Sequence, residues 1–309
     1  MSSNSGRRRK AELVNGLLLL NKPAGITSNR ALQKIKRLLN ARKAGHTGSL
    51  DPAATGMLPL CFGEATKVCA YLLNADKTYR VTARLGEATD TGDADGQVIE
   101  TAPVPVLDDH GWRKIIAGFV GDIEQVPPMY SALKKDGKRL YELARQGITV
   151  ERQARKLRIH DIQLLEARGS RLVLRVHCSK GTYIRTLVED IAKAAGTLAH
   201  AASLHREQVG DFSAADMLDL PTAVATVDAD GPQALRERLM PPDAALASWP
   251  DVAIDSLAAG KFSGGQSVPV ANAGLGLVRV YDDQKIFLGV GELSTTGKLA
   301  PKRIFHAAP

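Results

Sequence analysis

Gly45-His46-Thr47-Gly48-Ser49-Leu50-Asp51-Pro52-Ala53-Ala54-Thr55-Gly56 holds one acidic side chain, Asp51, in a loop punctuated by glycines. Gly45, Gly48 and Gly56 permit tight turns and the close approach of another backbone. Pro52 steers Asp51 toward extended conformations, which holds its carboxylate out from the chain. In outline the loop is like a phosphate loop. The Gly-Lys-Ser/Thr ending is missing, however, and with it the lysine that would reach the phosphates. An ordinary Asp-Pro turn is the other reading these residues allow.

Outward from this loop the chain alternates strand and helix signals. On the N-terminal side, Gly16–Leu20 reads as a short buried strand ending in the turn Asn21-Lys22-Pro23-Ala24-Gly25. Ser28 is placed to cap a helix with Leu32, Ile35, Leu38 and Leu39 on one face. On the C-terminal side a glycine-rich loop, Ala44 to Gly56, gives way to an apolar strand around Leu58–Phe62, and a helix is expected over Glu64–Leu73. Tyr79, Val81, Ala83 and Leu85 alternate with Arg80, Thr82 and Arg84, a strand with Tyr79 on its apolar face. Residues 157–166 and 171–178 form a hairpin pattern across Arg168-Gly169-Ser170. A helix follows Thr182, with Ile184, Leu187, Val188 and Ile191 at helical spacing and Gly196 as its stop. Between Asp219 and Pro242 the sequence is acidic and loop-like. From about residue 246 it becomes β-rich, with a hairpin across Asp282-Asp283-Gln284-Lys285. This order predicts an α+β fold with a mixed, mostly antiparallel sheet.

The 309 residues have room for one large domain and a small one. Lys plus Arg (41) exceed Asp plus Glu (33), and the net charge of +8 suits a polyanionic partner, since each phosphate neutralised releases counterions. A merely basic protein fits that charge equally well. Cys61, Cys69 and Cys178 are an odd set without short paired spacing, which argues for a reducing compartment and against a disulfide framework or a zinc site. Arg7, Arg8, Arg9 and Lys10 precede an apolar run confined to Leu17–Leu20, too short for a signal core or a membrane span. Residues 1–11 are therefore expected as a disordered basic tail, and the protein as cytoplasmic.

Other motifs fail on spacing. Asp90-Thr91-Gly92-Asp93-Ala94-Asp95-Gly96 resembles a calcium loop, but alignment on Gly96 puts Thr91 at the first ligand and Ala102 where a bidentate Glu belongs, leaving an acidic turn. His177-Cys178-Ser179-Lys180-Gly181 has His where a nucleophile elbow needs its first Gly. None of the seven histidines belongs to a His-Glu-x-x-His helix.

The Gly45–Gly56 string resembles the catalytic loop of the TruB family of tRNA pseudouridine synthases, and the likeness runs along nearly the whole chain. Lys22-Pro23-Ala24-Gly25-Ile26-Thr27-Ser28 is similar to the family's lysine-proline motif. Asp76-Lys77-Thr78-Tyr79 and Thr89-Asp90-Thr91-Gly92-Asp93 are similar to its next two, and Cys178 to Thr186 to its arginine motif. Pro127 to Lys134 and Leu299-Ala300-Pro301-Lys302-Arg303 fit as well. One departure is His205, where many members carry a second arginine. It bears on one phosphate contact and not on the activity.

The resemblance implies a pseudouridine synthase fold with an RNA cleft in a catalytic domain over residues 12–245, a basic thumb-like insertion near 126–150, and a PUA-like domain over 246–309. It implies the uridine at position 55 of the tRNA T loop as target, flipped out of its stack, cut at the C1′–N1 bond and rejoined through C5 without metal or other cofactor. Asp51 is implied as the catalytic carboxylate, attacking C1′, acting as a base, or adding to C6 of the ring. Arg185 would pair with Asp51 and favour its ionised form, although alone it reads as an exposed partner of Glu189, four residues on. Tyr79 would stack on the base and assist proton transfer at C5, although its strand pattern alone equally fits a core tyrosine. His46 would fill the gap the base leaves, Tyr183 and Leu204 would line the pocket, and Lys22 completes the expected substrate-binding set. The implied partner is tRNA, held at its T arm and, through the C-terminal domain, at its acceptor side. A monomer without membrane or obligatory protein partners is expected. The alternative is a non-catalytic RNA-binding or RNA-folding protein on the same scaffold.

Overall fold

The computed structural model describes residues 10–270 and 274–306, so most of the expected N-terminal tail lies outside the described residues. Gly16–Lys22 forms β1, followed by α1 (Ser28–Leu38), β2 (Ala44–His46) and β3 (Thr55–Phe62). A 3₁₀ turn, Gly63–Val68, runs into α2 (Cys69–Asn74), and then come β4 (Lys77–Leu85), the small hairpin β5 (Glu87–Thr89) and β6 (Val98–Thr101), α3 (Asp109–Ala117) and β7 (Gly121–Gln125). The basic segment is a second small hairpin, β8 (Lys134–Lys135) and β9 (Lys138–Arg139), leading into α4 (Leu140–Ala144). Next are β10 (Arg155–Arg168), β11 (Arg171–Cys178), α5 (Ile184–Ala194), β12 (Ala199–Val209), β13 (Leu218–Asp219) and α6 (Leu220–Arg236). The C-terminal part holds β14 (Asp251–Ala253), α7 (Ser256–Ser263), β15 (Val268–Pro269), β16 (Gly276–Tyr281), β17 (Phe287–Leu293) and β18 (Lys298–Ile304). No helix among the described residues is long and apolar enough to cross a membrane.

The main sheet runs β13-β1-β3-β12-β4-β11-β10-β7, with β2 beside β3. Only β1–β13 and β12–β3 pair in parallel, so the sheet is mixed and mostly antiparallel, as expected. Its two halves differ in how they are covered. β1 is an unbroken apolar run because both its faces are buried. Leu18 and Leu20 pack with Leu32 and Ile35 of α1 and Leu235 of α6, while Leu17 and Leu19 pack with Leu72 of α2 and with Val290 and Phe305 of the C-terminal part. In the other half Val81, Leu174 and Val176 face Leu187, Val188 and Ile191 of α5. The opposite face carries the exposed, polar members of the alternation, such as Arg80, Arg84 and His177.

Several expected elements take a different form. The α1 cap is Thr27, which accepts a hydrogen bond from the Arg30 amide at 3.1 Å, while Ser28 is buried and bonded elsewhere. The expected helix over Glu64–Leu73 begins as 3₁₀, because Gly63 has φ +55° and the Thr66 hydroxyl donates to its carbonyl at 2.7 Å. The stretch after Asp219, expected as loop, is helical from Leu220. Pro221 sits in the first turn, where its missing N–H costs nothing. Its acidic residues face solvent and a break at Gly231 (φ +78°) before Pro232 interrupts the period, which conceals the helix from a periodicity reading.

The halves meet along a short parallel contact in which Thr55 and Gly56 of β3 stand opposite His205 and Arg206 of β12. Gly56 has φ +102°, and a Cβ there would lie 2.3 Å from the Arg206 carbonyl oxygen. The seam therefore closes only over a glycine. Gly196, by contrast, has φ +74° but open space around it. Gly56→Ala is expected to cost on the order of 3 kcal/mol or more, against about 1 kcal/mol for Gly196→Ala. Chemical denaturation of the two variants checks the order; equal losses would mean that the seam tolerates a side chain.

Candidate active site

Residues 47–54 span the turn between β2 and β3 and deliver Asp51 to the seam. Two sets of side chains hold them. From one side, Ser28 Oγ accepts the Leu50 amide at 2.8 Å and donates to the Leu50 carbonyl at 3.1 Å, fixing the residue just before Asp51. Lys22 is fully buried, and its Nζ donates to the carbonyls of Pro23 (2.8 Å), Ile26 (2.8 Å) and Pro52 (3.1 Å). From the other side Arg206, 1% exposed, donates from Nε to the Met57 carbonyl (2.7 Å) and from Nη2 to the Gly48 carbonyl (3.1 Å). Carbonyls taken from water need such partners. Here two cations supply them, and the loop becomes a fixed platform.

Arg185, in the first turn of α5, is buried and meets Asp51 directly. Its Nη2 lies 3.1 Å from Asp51 Oδ2 and donates to the Tyr130 carbonyl at 2.6 Å. Its Nη1 lies 3.1 Å from Asp93 Oδ2 and donates to the Thr91 carbonyl at 2.6 Å. The exposed pair with Glu189 is thus not the role of Arg185. Asp93 is further held by the Thr91 hydroxyl at 2.6 Å and accepts the Asp95 amide at 3.2 Å. Tyr79, on β4, lies in register with Val176 and Arg206 and is half-buried at the edge of the α5-facing core. Leu204 packs against that same core from β12, in register with Val81. Tyr183 precedes α5, its backbone N–H donating to Gln125 Oε1 at 3.0 Å and its carbonyl accepting from Gln125 Nε2 at 3.3 Å. His46 ends β2, half-buried, with a buried Nδ1 that has no hydrogen-bond partner among the described residues.

Three comparisons bear on this arrangement. The description "TruB family pseudouridylate synthase (N terminal domain)" matches residues 36–184, "tRNA pseudouridylate synthase B C-terminal domain" matches 185–247, and "Pseudouridine synthase II TruB, C-terminal" matches 250–305. The chain is 51% identical over 302 residues to a curated tRNA pseudouridine synthase B of Nitrosococcus oceani, covering 97% of this chain and 98% of that protein. The chain belongs to the TruB family of pseudouridine synthases. A tRNA pseudouridine synthase B of Chromohalobacter salexigens is 50% identical, with 98% of each chain covered. Among solved structures, an H/ACA RNP bound to a substrate RNA containing 2'-deoxyuridine is similar with a TM-score of 0.74 and 25% identity, covering 96% of this chain and 86% of that one. A Cbf5-Nop10-Gar1 complex is similar with a TM-score of 0.73 and 25% identity, covering 99% and 91%.

The electrostatics of this TruB-family cleft set the protonation states. Although 43% of the Asp51 side chain is exposed, protein atoms crowd its carboxyl group. This desolvation raises its pKa, Arg185 and Lys22 oppose the rise, and Asp93 adds to it. Burial likewise pushes the Tyr79 phenol up, against the lowering effect of Arg206, so its proton stays on at neutral pH. Burial lowers the His46 imidazole, which favours its neutral form. Burial also brings Lys22 down to about 8, with Asp51 pulling the other way.

Two residues escaped the sequence reading. Asp93 falls in an acidic turn and in a stretch similar to a family motif, but neither carries a sign that a remote arginine would claim it. Arg206 sits at an apparently polar strand position. Lys22, expected to touch substrate, instead spends its amine on the loop. The causes of the Asp51 shift give a test of opposite signs. Arg185→Gln removes the largest lowering charge and raises the Asp51 pKa further, so the carboxylate is lost at a higher pH. Asp93→Asn removes a like charge and lowers it. Carbon-detected NMR titration of the Asp51 carboxyl reads both, and movement in one direction for both variants would refute this account.

Proposed function

We propose that this chain converts a uridine of transfer RNA to pseudouridine, with the residue at position 55 of the T loop as its target. The observation that carries the reading is the Asp51 carboxylate, fixed by Arg185 within electrostatic reach of the Tyr79 phenol, in a chain half-identical over its length to curated tRNA pseudouridine synthases B. The reaction breaks the C1′–N1 bond and joins C1′ to C5. N1 gains a proton, C5 loses one, and there is no net redox change. Positive charge that develops at C1′ is met by an ionised carboxylate. Bound RNA that covers the half-exposed Asp51 would exclude water and strengthen that interaction.

In this reading Asp51 is the catalytic carboxylate, and Arg185 keeps it ionised and aimed. A stacked base has to leave the RNA helix to reach them, at a cost of roughly a few kcal/mol. Tyr79 stacks on the flipped base and relays the C5 proton, releasing its own phenol proton to water as it accepts that one. Neutral His46 fills the gap in the RNA, since an uncharged ring stacks without a buried charge. Tyr183 and Leu204 line the pocket. Lys22 serves substrate indirectly, through the loop it holds.

The exposed Lys134, Lys135, Lys138, Arg139 and Arg145 form a thumb-like insertion within about residues 126–150 that closes on phosphates. Its base is tied to the site, because the Tyr130 carbonyl accepts from Arg185. We divide the chain into a catalytic domain over residues 12–245 and a PUA-like domain over 246–309 that grips the acceptor side. It acts as a cytoplasmic monomer without an obligatory protein partner.

Asp51→Asn keeps size and removes charge. Its rate on unmodified tRNA transcript should fall by on the order of 10⁴-fold or more, with tRNA affinity changed only a few-fold. Carbodiimide-dependent primer-extension stops locate the product. A contamination-free variant with substantial turnover would remove Asp51 from the chemistry. Absence of product at position 55 from the native protein would favour the non-catalytic RNA-binding reading.

A further inference from the structure

On the sheet face opposite α5, away from the reacting residues, three side chains converge, two from the neighbouring strands β10 and β11 and one from Asp76, the residue just before β4. His177 is on β11 between the core residues Val176 and Cys178, so it points to the open face. Its register partner on β4 is Thr78, two residues after Asp76. His160 is on β10 at a register irregularity: Ile159 pairs with Cys178, and the next pair joins Asp161 to His177. The extra residue there is His160. A bulge of this kind bends the strand locally and re-aims side chains, while Ile159 and Ile162 both remain in the core.

The result is a preassembled cluster. His160 Nε2 lies 3.1 Å from Asp76 Oδ2, and the two imidazoles are 4.7 Å apart between centroids with a 37° tilt. One nitrogen or carboxylate oxygen from each of the three residues falls within 4.8 Å of the others. A tetrahedral zinc ion requires ligand atoms about 3.3 Å apart, given metal–ligand bonds of about 2.0–2.1 Å. The Asp76–His160 contact already matches that separation. The remaining contraction is within reach of imidazole rotation, because the His160 and Asp76 side chains keep 29% and 45% of their surface exposed. Two imidazoles and one carboxylate are the donors a borderline divalent ion prefers, with water completing the shell.

From this we infer that Asp76, His160 and His177 form a binding site for a zinc-class divalent cation that staples β4, β10 and β11 together outside the reaction cleft. An ion held there binds the folded chain and not the unfolded one, and so stabilises it. It stands behind the strand that carries Tyr79 and supplies no chemistry to the reaction. Its ligands lie far apart in sequence, and two of them are joined only by the bulge, which is why no spacing motif announces it.

The test uses the full chain, free of any affinity tag and stripped with chelator, titrated with Co²⁺ and with Zn²⁺. One equivalent of Co²⁺ should give the visible absorption of a low-symmetry four- or five-coordinate site, and Zn²⁺ should displace it. His160→Ala and His177→Ala should each weaken binding by roughly tenfold or more. His110→Ala, remote in sequence from the cluster, should leave it unchanged. Zn²⁺ should raise the unfolding temperature of the native protein and not that of the His160→Ala/His177→Ala double variant. Folding of the double variant is verified by circular dichroism, and each single variant gives an independent reading. Equal affinity of the native protein and the double variant would overturn the site, as would a loss in His110→Ala as large as in His177→Ala.

Discussion

A single guanidinium with almost no access to water, that of Arg185, ties its own helix to three other segments of the chain. It binds the Asp51 and Asp93 carboxylates and the Thr91 and Tyr130 carbonyls. A charge removed from solvent is costly unless it is fully paired, and removal of one partner from a buried pair leaves the other stranded. Here two carboxylates share one cation, which offsets the repulsion that each like charge imposes on the other. The planar fork of arginine serves all four acceptors at once, which the point charge of a lysine does not. Folding of the acidic turn, the start of α5, the segment at Tyr130 and the Asp51 loop is thereby tied to one event.

Arg206 is the counterpart at the seam. Its backbone stands against Gly56 and its side chain against the carbonyls of Gly48 and Met57. Together with Lys22 and Ser28, it replaces the water that an exposed loop would use. The loop that carries the carboxylate therefore behaves like part of the core, although it has no regular secondary structure. His205, the departure from the family pattern, pairs its Nδ1 with the Thr55 hydroxyl at 2.8 Å across the same seam, so the position has a packing role of its own.

Much of this was legible in residue order, for identifiable reasons. The unbroken Leu17–Leu20 run, the alternation from Tyr79 to Leu85 and the spacing from Ile184 to Ile191 are local patterns, and each became the element it predicted. The Asp51 loop was legible because its string is distinctive. What stayed hidden depends on contacts between distant segments. The helix at Leu220–Arg236 is broken by Gly231-Pro232 and carries its acids outward, so its period is faint. The cap passed from Ser28 to Thr27 because the Ser28 hydroxyl was needed at Leu50. Asp93 and Lys22 have their partners chosen for them by burial, which no local spacing encodes.

The cluster of Leu17, Leu19, Met57, Val290, Phe305 and Leu246 is built from both ends of the chain. The five-stranded C-terminal sheet thus shares a hydrophobic core with the strand beside the Asp51 loop, and is no pendant on a flexible linker. Such a joint resists rotation, because side chains in a close-packed interior cannot slide past one another without opening voids. Surfaces on the two sides of that joint are therefore held at one fixed separation. A rigid ligand that touched both parts at once would have to match that separation.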